Sequence, residues 1–178
     1  MGFQESLKKG NQGEKVVLDI LKFHNIESSK NSSDITRSEY DIIASLKKKD
    51  DLKIEVKYDY MAQKTNNIAI EVWNTKLDKP SGLTQTKAHI WAHCLKDGSN
   101  IVAFICKTKH LQKLVKDFPP KKVIKSGGDN NAELMLYDVD WLLKGFVRLN
   151  DLPSGELKAV LNRVKTETWT KFIGRYNK

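Results

Sequence analysis

Hydrophobic positions recur along this chain at two spacings, and a set of elements follows from them. In residues 10–24, Val17, Leu18 and Leu21 share one face of a 3.6-residue repeat, with Val16 and Ile20 beside it. This predicts an amphipathic helix, capped by Asn11 and closed by Asn25. Residues 26–38 are polar and turn-rich, which predicts a surface loop. EYDIIASL predicts a strand, KKKDD a charged turn and LKIEVKYDY a second strand, the pair forming a hairpin. IAIEVWN predicts a third strand after the polar connection MAQKTNN. KLDKPSGL contains Pro80 and Gly82 and reads as a loop. It opens into TQTKAHIWAHCLKDG, predicted helical because Ala88, Trp91, Ala92 and Leu95 align on one face, with an end near Gly98.

IVAFIC has no alternation, as expected of a strand buried on both faces. KTKHLQKLVKDF predicts a basic helix stopped by Pro119 and Pro120, SGGDNN a flexible turn, and ELMLYDVDWLLKGF a strand followed by a helical turn. Helix, three strands, helix, buried strand, helix is the order of an α/β fold with a central mixed β-sheet flanked by helices. Residues 1–145 would form this core, and residues 146–178 a basic C-terminal extension packed on it.

At 178 residues the chain fits one domain with a substantial core, and 39% of it is hydrophobic. No window approaches the roughly 20 apolar residues of a membrane helix, so no membrane partner is expected. The N-terminus MGFQESLKKG lacks an apolar signal core, which predicts a cytoplasmic protein. Cys94 and Cys106 sit in apolar stretches and read as small buried hydrophobes. The formal net charge is +9. Such an excess favours a polyanionic partner through counterion release, although a basic solvated surface produces the same number. Charge alone therefore does not decide; the chemistry-bearing residues do.

In the second predicted strand Leu52, Ile54, Val56 and Tyr58 share one face, while Lys53, Glu55, Lys57 and Asp59 share the other. Asp41 stands at the threshold of the preceding apolar strand. If the two strands pair across KKKDD, Asp41 and Glu55 can converge on one hard cation such as magnesium, and the main-chain carbonyl of Val56 can add a third oxygen. Such a cation lowers the pKa of a bound water and neutralises charge on a phosphate. Lys57, on the same face, would orient or deprotonate that water or stabilise the transition state, and desolvation would push it toward neutrality. Glu14 shares the stripe of Val17, Leu18 and Leu21, where an acid needs a partner, a bound water or Lys57. A place at the stripe's edge near the helix N-terminus accounts for it equally. Asp followed by Glu-X-Lys also arises by chance, and alternating charges often mark a solvated sheet face.

Tyr40-Asp41 and Glu55-Val56-Lys57 resemble the motif of the PD-(D/E)XK superfamily, the restriction-endonuclease-like fold, without the proline of its namesake pattern. The likeness extends over roughly residues 10–106, where the chain is similar to small phage-type nucleases. The resemblance implies a metal-dependent DNA endonuclease that uses Mg2+, or Mn2+ in its place, and that acts as a homodimer, encoded by a phage and working in its host. Within it, Asp41 and Glu55 would bind the metal, Lys57 would assist the water, and Glu14 would sit in the outer part of the site. Glu71, of opposite parity to Ile68, Ile70 and Val72, would extend the acidic cluster toward a second ion, or form a surface salt bridge. Gln63 and Lys64 would touch the scissile region, or simply occupy a solvated turn.

Ser81, Gly82, Thr84, Thr86 and Lys87 lead into the predicted helix, where free N–H groups and hydroxyls can grip a DNA phosphate. Capping by Ser81 or Thr84 explains the same residues. His89 and His93 are spaced for zinc on a helix but lack a third ligand, and read as solvated or core-edge histidines. The basic segments 107–116, 121–125 and 163–178, the last with Trp169, Phe172 and Tyr176, can track a DNA backbone, the aromatics reading as core. Two rivals remain: a catalytically inactive DNA-binding module on the same fold, and a junction-specific resolvase.

Overall fold

The computed structural model describes residues 3–31, 39–46, 51–125 and 131–166. The chain opens with helix α1 (Phe3–Phe23), which begins a full two turns before the predicted cap. Asn11 is therefore interior to the helix, and its side-chain oxygen accepts from Lys30 Nζ at 3.0 Å. Asn25 does end the helix, in the left-handed conformation at φ 54°. Part of the predicted loop is a strand, β1 (Glu27–Lys30). It is a solvent-facing edge strand, so its residues carry no hydrophobic alternation to betray it. Residues 32–38 and 47–50, of the predicted loop and turn, lie outside the described residues.

The predicted hairpin forms from β2 (Ile42–Ser45) and β3 (Leu52–Asp59), antiparallel with Ile42 opposite Ile54. A short helix α2 (Ala62–Thr65) follows, then β4 (Asn67–Asn74), β5 (Lys79–Pro80) and a 3-10 turn over Gly82–Thr84. The segment predicted as a helix around Trp91 is instead a strand, β6 (Ile90–Asp97), parallel to β3. The spacing of Ala88, Trp91, Ala92 and Leu95 suits a helix, but all of residues 90–95 are buried. A strand covered on both faces loses its alternation, and such a run fits either element.

The remaining elements are β7 (Asn100–Lys107), α3 (Thr108–Asp117), β8 (Lys122–Lys125), β9 (Ala132–Asp138), α4 (Val139–Leu143), β10 (Val147–Arg148) and α5 (Glu156–Thr166). Residues 126–130, in the predicted SGGDNN turn, and 167–178, with Trp169, Phe172 and Tyr176, lie outside the described residues. Among the described residues no helix is long and apolar enough to cross a membrane.

The strands make two sheets. One is mixed and six-stranded, β1-β2-β3-β6-β7-β10; the other is antiparallel and four-stranded, β5-β4-β9-β8. The fold is α/β, with helices flanking the mixed sheet. β4, the predicted third strand, belongs to the second sheet and not to that of the hairpin. The step from β3 to β4 is fixed by Asp59, whose Oδ1 accepts from the N–H groups of Met61 and Ala62 and whose Oδ2 accepts from Ala69 N–H, at 2.9 to 3.1 Å. One carboxylate thus turns the chain out of the first sheet and pins the second beside it.

A single apolar cluster joins both sheets to the helices, taking Val17 and Leu21 from α1 and Leu157, Val160 and Leu161 from α5. Val147 of β10 is buried within it, so residues after 145 contribute to the same core. Gly13 lets α1 lie close on β3: a Cβ there would fall 2.9 Å from Tyr58 Cβ.

Candidate active site

Alternation along β3 sends Leu52, Ile54 and Val56 into the core beneath α1 and leaves Glu55 and Lys57 on the opposite face, toward the second sheet. Ile42 pairs with Ile54, so one step beyond the last rung Asp41 falls opposite Glu55 on the same face. Two bonds hold it there. Asp41 N–H donates to the Ile54 carbonyl at 3.0 Å, and Asp41 Oδ2 accepts from the Val56 N–H at 2.7 Å. The N–H and C=O of one strand residue point to the same side, so the Val56 carbonyl faces the same open edge, past the end of β2.

Glu55 is 7% exposed. Its Oε1 pairs with Lys57 Nζ at 2.9 Å and its Oε2 lies 3.1 Å from Thr86 Oγ1. Thr86 is the residue the sequence placed on a phosphate-gripping helix. With no helix there, its hydroxyl lies between Glu55 and the Glu39 carbonyl, 3.0 Å from the latter. The Glu39 carbonyl also accepts from Lys87 N–H, and the two side chains form an ion pair. This knot ties the segment that carries Asp41 to the carboxylate of Glu55. Glu39 went unread because a lone Glu beside a loop carries no sequence signal.

Burial, and then repulsion from Glu55, raise the Asp41 pKa to about 6, against the pull of Lys57 and the Val56 N–H; Glu14 adds to the rise. Burial works against the charge on Lys57, but Glu55, Asp41 and Glu71 outweigh it and hold the ammonium above the ordinary lysine range. The expected drift of Lys57 toward neutrality is therefore corrected: three carboxylates surround it. Glu71, on β4, belongs to this electrostatic cluster. Gly82 brings the 3-10 turn against it at φ +50°, where a Cβ would collide with the Glu71 carbonyl.

Glu14 is near enough to affect Asp41, and its ion-pair partner is Lys30 rather than Lys57. Lys30 Nζ lies 2.6 Å from Glu14 Oε2. The strand β1, unforeseen in the sequence, presents that lysine.

The other candidates separate from the cluster. Gln63 and Lys64 are exposed on α2. Ser81 is buried, its hydroxyl without a hydrogen bond among the described residues. Thr84 Oγ1 donates inward, to the carbonyls of Val72 and Ser81. Lys87 is exposed beside Glu39. His89 and His93 lie at and within β6 rather than on a helix, and His89 Nδ1 accepts from the Lys53 N–H. His93 is fully buried, accepts from Trp91 Nε1 at Nδ1, and has Nε2 4.0 Å from Asp59 Oδ2. Burial drives its pKa down to about 4, so it is a neutral core histidine.

Among the described residues no three His, Cys, Asp or Glu side chains form a ready-made metal cage. The donors on hand are two carboxylates and a strand carbonyl at one edge. That set fits magnesium, which takes one or two carboxylates and keeps the rest of its shell for water and phosphate. The repulsion that lifts Asp41 is what a divalent cation would relieve.

No family profile and no curated protein matches the chain. Among solved structures, that of a bacterial homing endonuclease, I-Ssp6803I, shares its architecture: TM-score 0.50, 14% sequence identity, 92% of this chain and 99% of that chain covered. At that identity the likeness establishes the fold alone.

Proposed function

We propose that the chain is a divalent-metal-dependent DNA endonuclease of the PD-(D/E)XK type. One observation carries this reading: Asp41 falls opposite Glu55, with Lys57 two residues on along the same face, at an open strand edge. Asp41, Glu55 and the Val56 carbonyl would hold Mg2+, with Mn2+ able to substitute. When bound, the ion acidifies a water and offsets charge on the scissile phosphate. Lys57, a full cation at neutral pH, stabilises the charge that builds on the phosphoryl oxygens during in-line attack. Thr86 keeps Glu55 aimed, and the Val56 N–H keeps Asp41 aimed. Glu71 balances the charge of Lys57 from the second sheet. The architecture shared with a homing endonuclease and the +9 net charge agree with DNA as the substrate.

Purified protein incubated with supercoiled plasmid and Mg2+ tests the reading. Nicked and linear products are expected from the wild type, none with EDTA, and none from Glu55→Ala or Lys57→Ala. Tight DNA binding without cleavage of duplex, branched or single-stranded substrates would instead identify a binding module.

A further inference from the structure

Residues 107–125 carry seven lysines against one aspartate, six of the nine net positive charges of the whole chain. Four of these lysines lie on α3 and at its exit. On α3, Lys109, Lys113 and Lys116 are spaced i, i+4, i+7 and are all exposed, while Leu111 is fully buried on the other side. Lys121, also exposed, follows at the entry to β8. Lys122, opposite Leu136, lies on the far face of the sheet from Tyr137, whose hydroxyl meets the Phe118 carbonyl at the end of α3. Lys113 pairs with Asp117 in the same helix; Lys109, Lys116 and Lys121 form no ion pair among the described residues. Beside α3 and Lys121 stand large apolar groups that a merely solvated face would not keep: Phe118 is 47% exposed, Val123 45% and Trp141 39%.

This surface connects to the catalytic edge through the main chain. The N–H of Thr108, the first residue of α3, donates to the His89 carbonyl, and His89 N–H donates to the Lys53 carbonyl, two residues before Glu55.

We propose that α3, with Lys121 at its exit, forms a second DNA-contact surface, which holds the duplex flanking the scissile bond through its phosphates. The inference rests on the endonuclease reading and extends it to where the uncut arm lies. Phosphate contacts of this kind position a duplex without reading its sequence. Phe118 and Trp141 pack against sugars between the lysine contacts. Ten helical residues span about 15 Å. That length covers about four base pairs at about 3.4 Å each, so the arm must extend about that far beyond the cut.

The test compares Lys109→Gln/Lys116→Gln/Lys121→Gln with a control of equal charge change elsewhere, Lys15→Gln/Lys22→Gln/Lys96→Gln. Duplex affinity is measured by fluorescence anisotropy over a range of KCl, in Ca2+ and without Mg2+, on short and long duplexes. Each lost phosphate contact lowers the slope of log affinity against log salt by about 0.9, so the first variant should lose about 2 to 3 in slope. It should also lose the gain in affinity that a longer duplex gives the wild type, while the control keeps both. Equal losses in the two variants, or none in the first, would overturn the proposal. A wild type that cuts plasmid while the first variant binds normally sinks this surface alone; a wild type that never cuts sinks the endonuclease reading instead.

Discussion

Replacing Asp41 with asparagine should stabilise the metal-free protein while abolishing its metal response. Asp41 is a half-buried carboxylate with its pKa raised from 3.8 to about 6, by burial first and Glu55 second. A folded-state pKa above the unfolded one means that the folded chain holds the proton more tightly. Stability therefore falls as pH rises from about 4 to about 6, then levels off. At about 1.4 kcal/mol per tenfold change in proton affinity the full effect is roughly 3 kcal/mol, and solvent reaching the edge reduces it to about 2. The amide of the variant still offers an oxygen to the Val56 N–H, so the charge is nearly all that changes. Urea unfolding in EDTA should show Asp41→Asn more stable than wild type by about 2 kcal/mol at pH 8, with the gap closing near pH 4. Mg2+ at about 100 times its dissociation constant should then stabilise the wild type by about 2.7 kcal/mol and the variant hardly at all. A variant no more stable than wild type at pH 8, or a gap that ignores pH, would refute the electrostatic account of the site.

Thr86→Val should raise the Mg2+ concentration needed for half-maximal cleavage by about tenfold, matching the loss of about 1.5 kcal/mol for a hydrogen bond to a charged group, and Thr86→Ser should restore it; equal metal affinity for Val and wild type, read by Mn2+ paramagnetic resonance, would remove Thr86 from the site. Asp59→Ala strips three N–H groups of their acceptor and should cost about 2 to 4 kcal/mol in thermal unfolding, Asp59→Asn less, whereas an unchanged midpoint would contradict its hinge role. Because Glu55, Asp41 and Glu71 hold Lys57 charged in the metal-free protein, its side-chain NMR signal in EDTA should show no deprotonation below about pH 10, and a midpoint near 8 would contradict the electrostatic cluster.

The sequence was legible where one face of an element is wet. Alternation in β3 placed Glu55 and Lys57 together, because that strand has one core side and one polar side, and the predicted hairpin brought Asp41 near them; the register that sets Asp41 opposite Glu55 came from the structure. The same logic failed at β6, where helix and sheet cover both faces and Trp91, His93 and Cys94 are all buried. It failed again at β1, a four-residue edge strand of polar side chains. Those two errors propagated to the site. Missing β1 hid Lys30 as the partner of Glu14, and misreading β6 turned Thr86 and Lys87 into phosphate ligands rather than the clasp on Glu39 and Glu55. The second sheet was invisible for a different reason. Asp59 redirects the chain through three backbone bonds, and nothing in a strand's own pattern says which sheet it joins.

Everything proposed for catalysis requires two carboxylates from neighbouring strands to share one cation. Anomalous diffraction from crystals soaked in Mn2+ tests that directly. A single strong peak is predicted within coordination distance of Asp41, Glu55 and the Val56 carbonyl, and it should vanish in Asp41→Asn. A peak bound elsewhere, or none at saturating Mn2+, would contradict it.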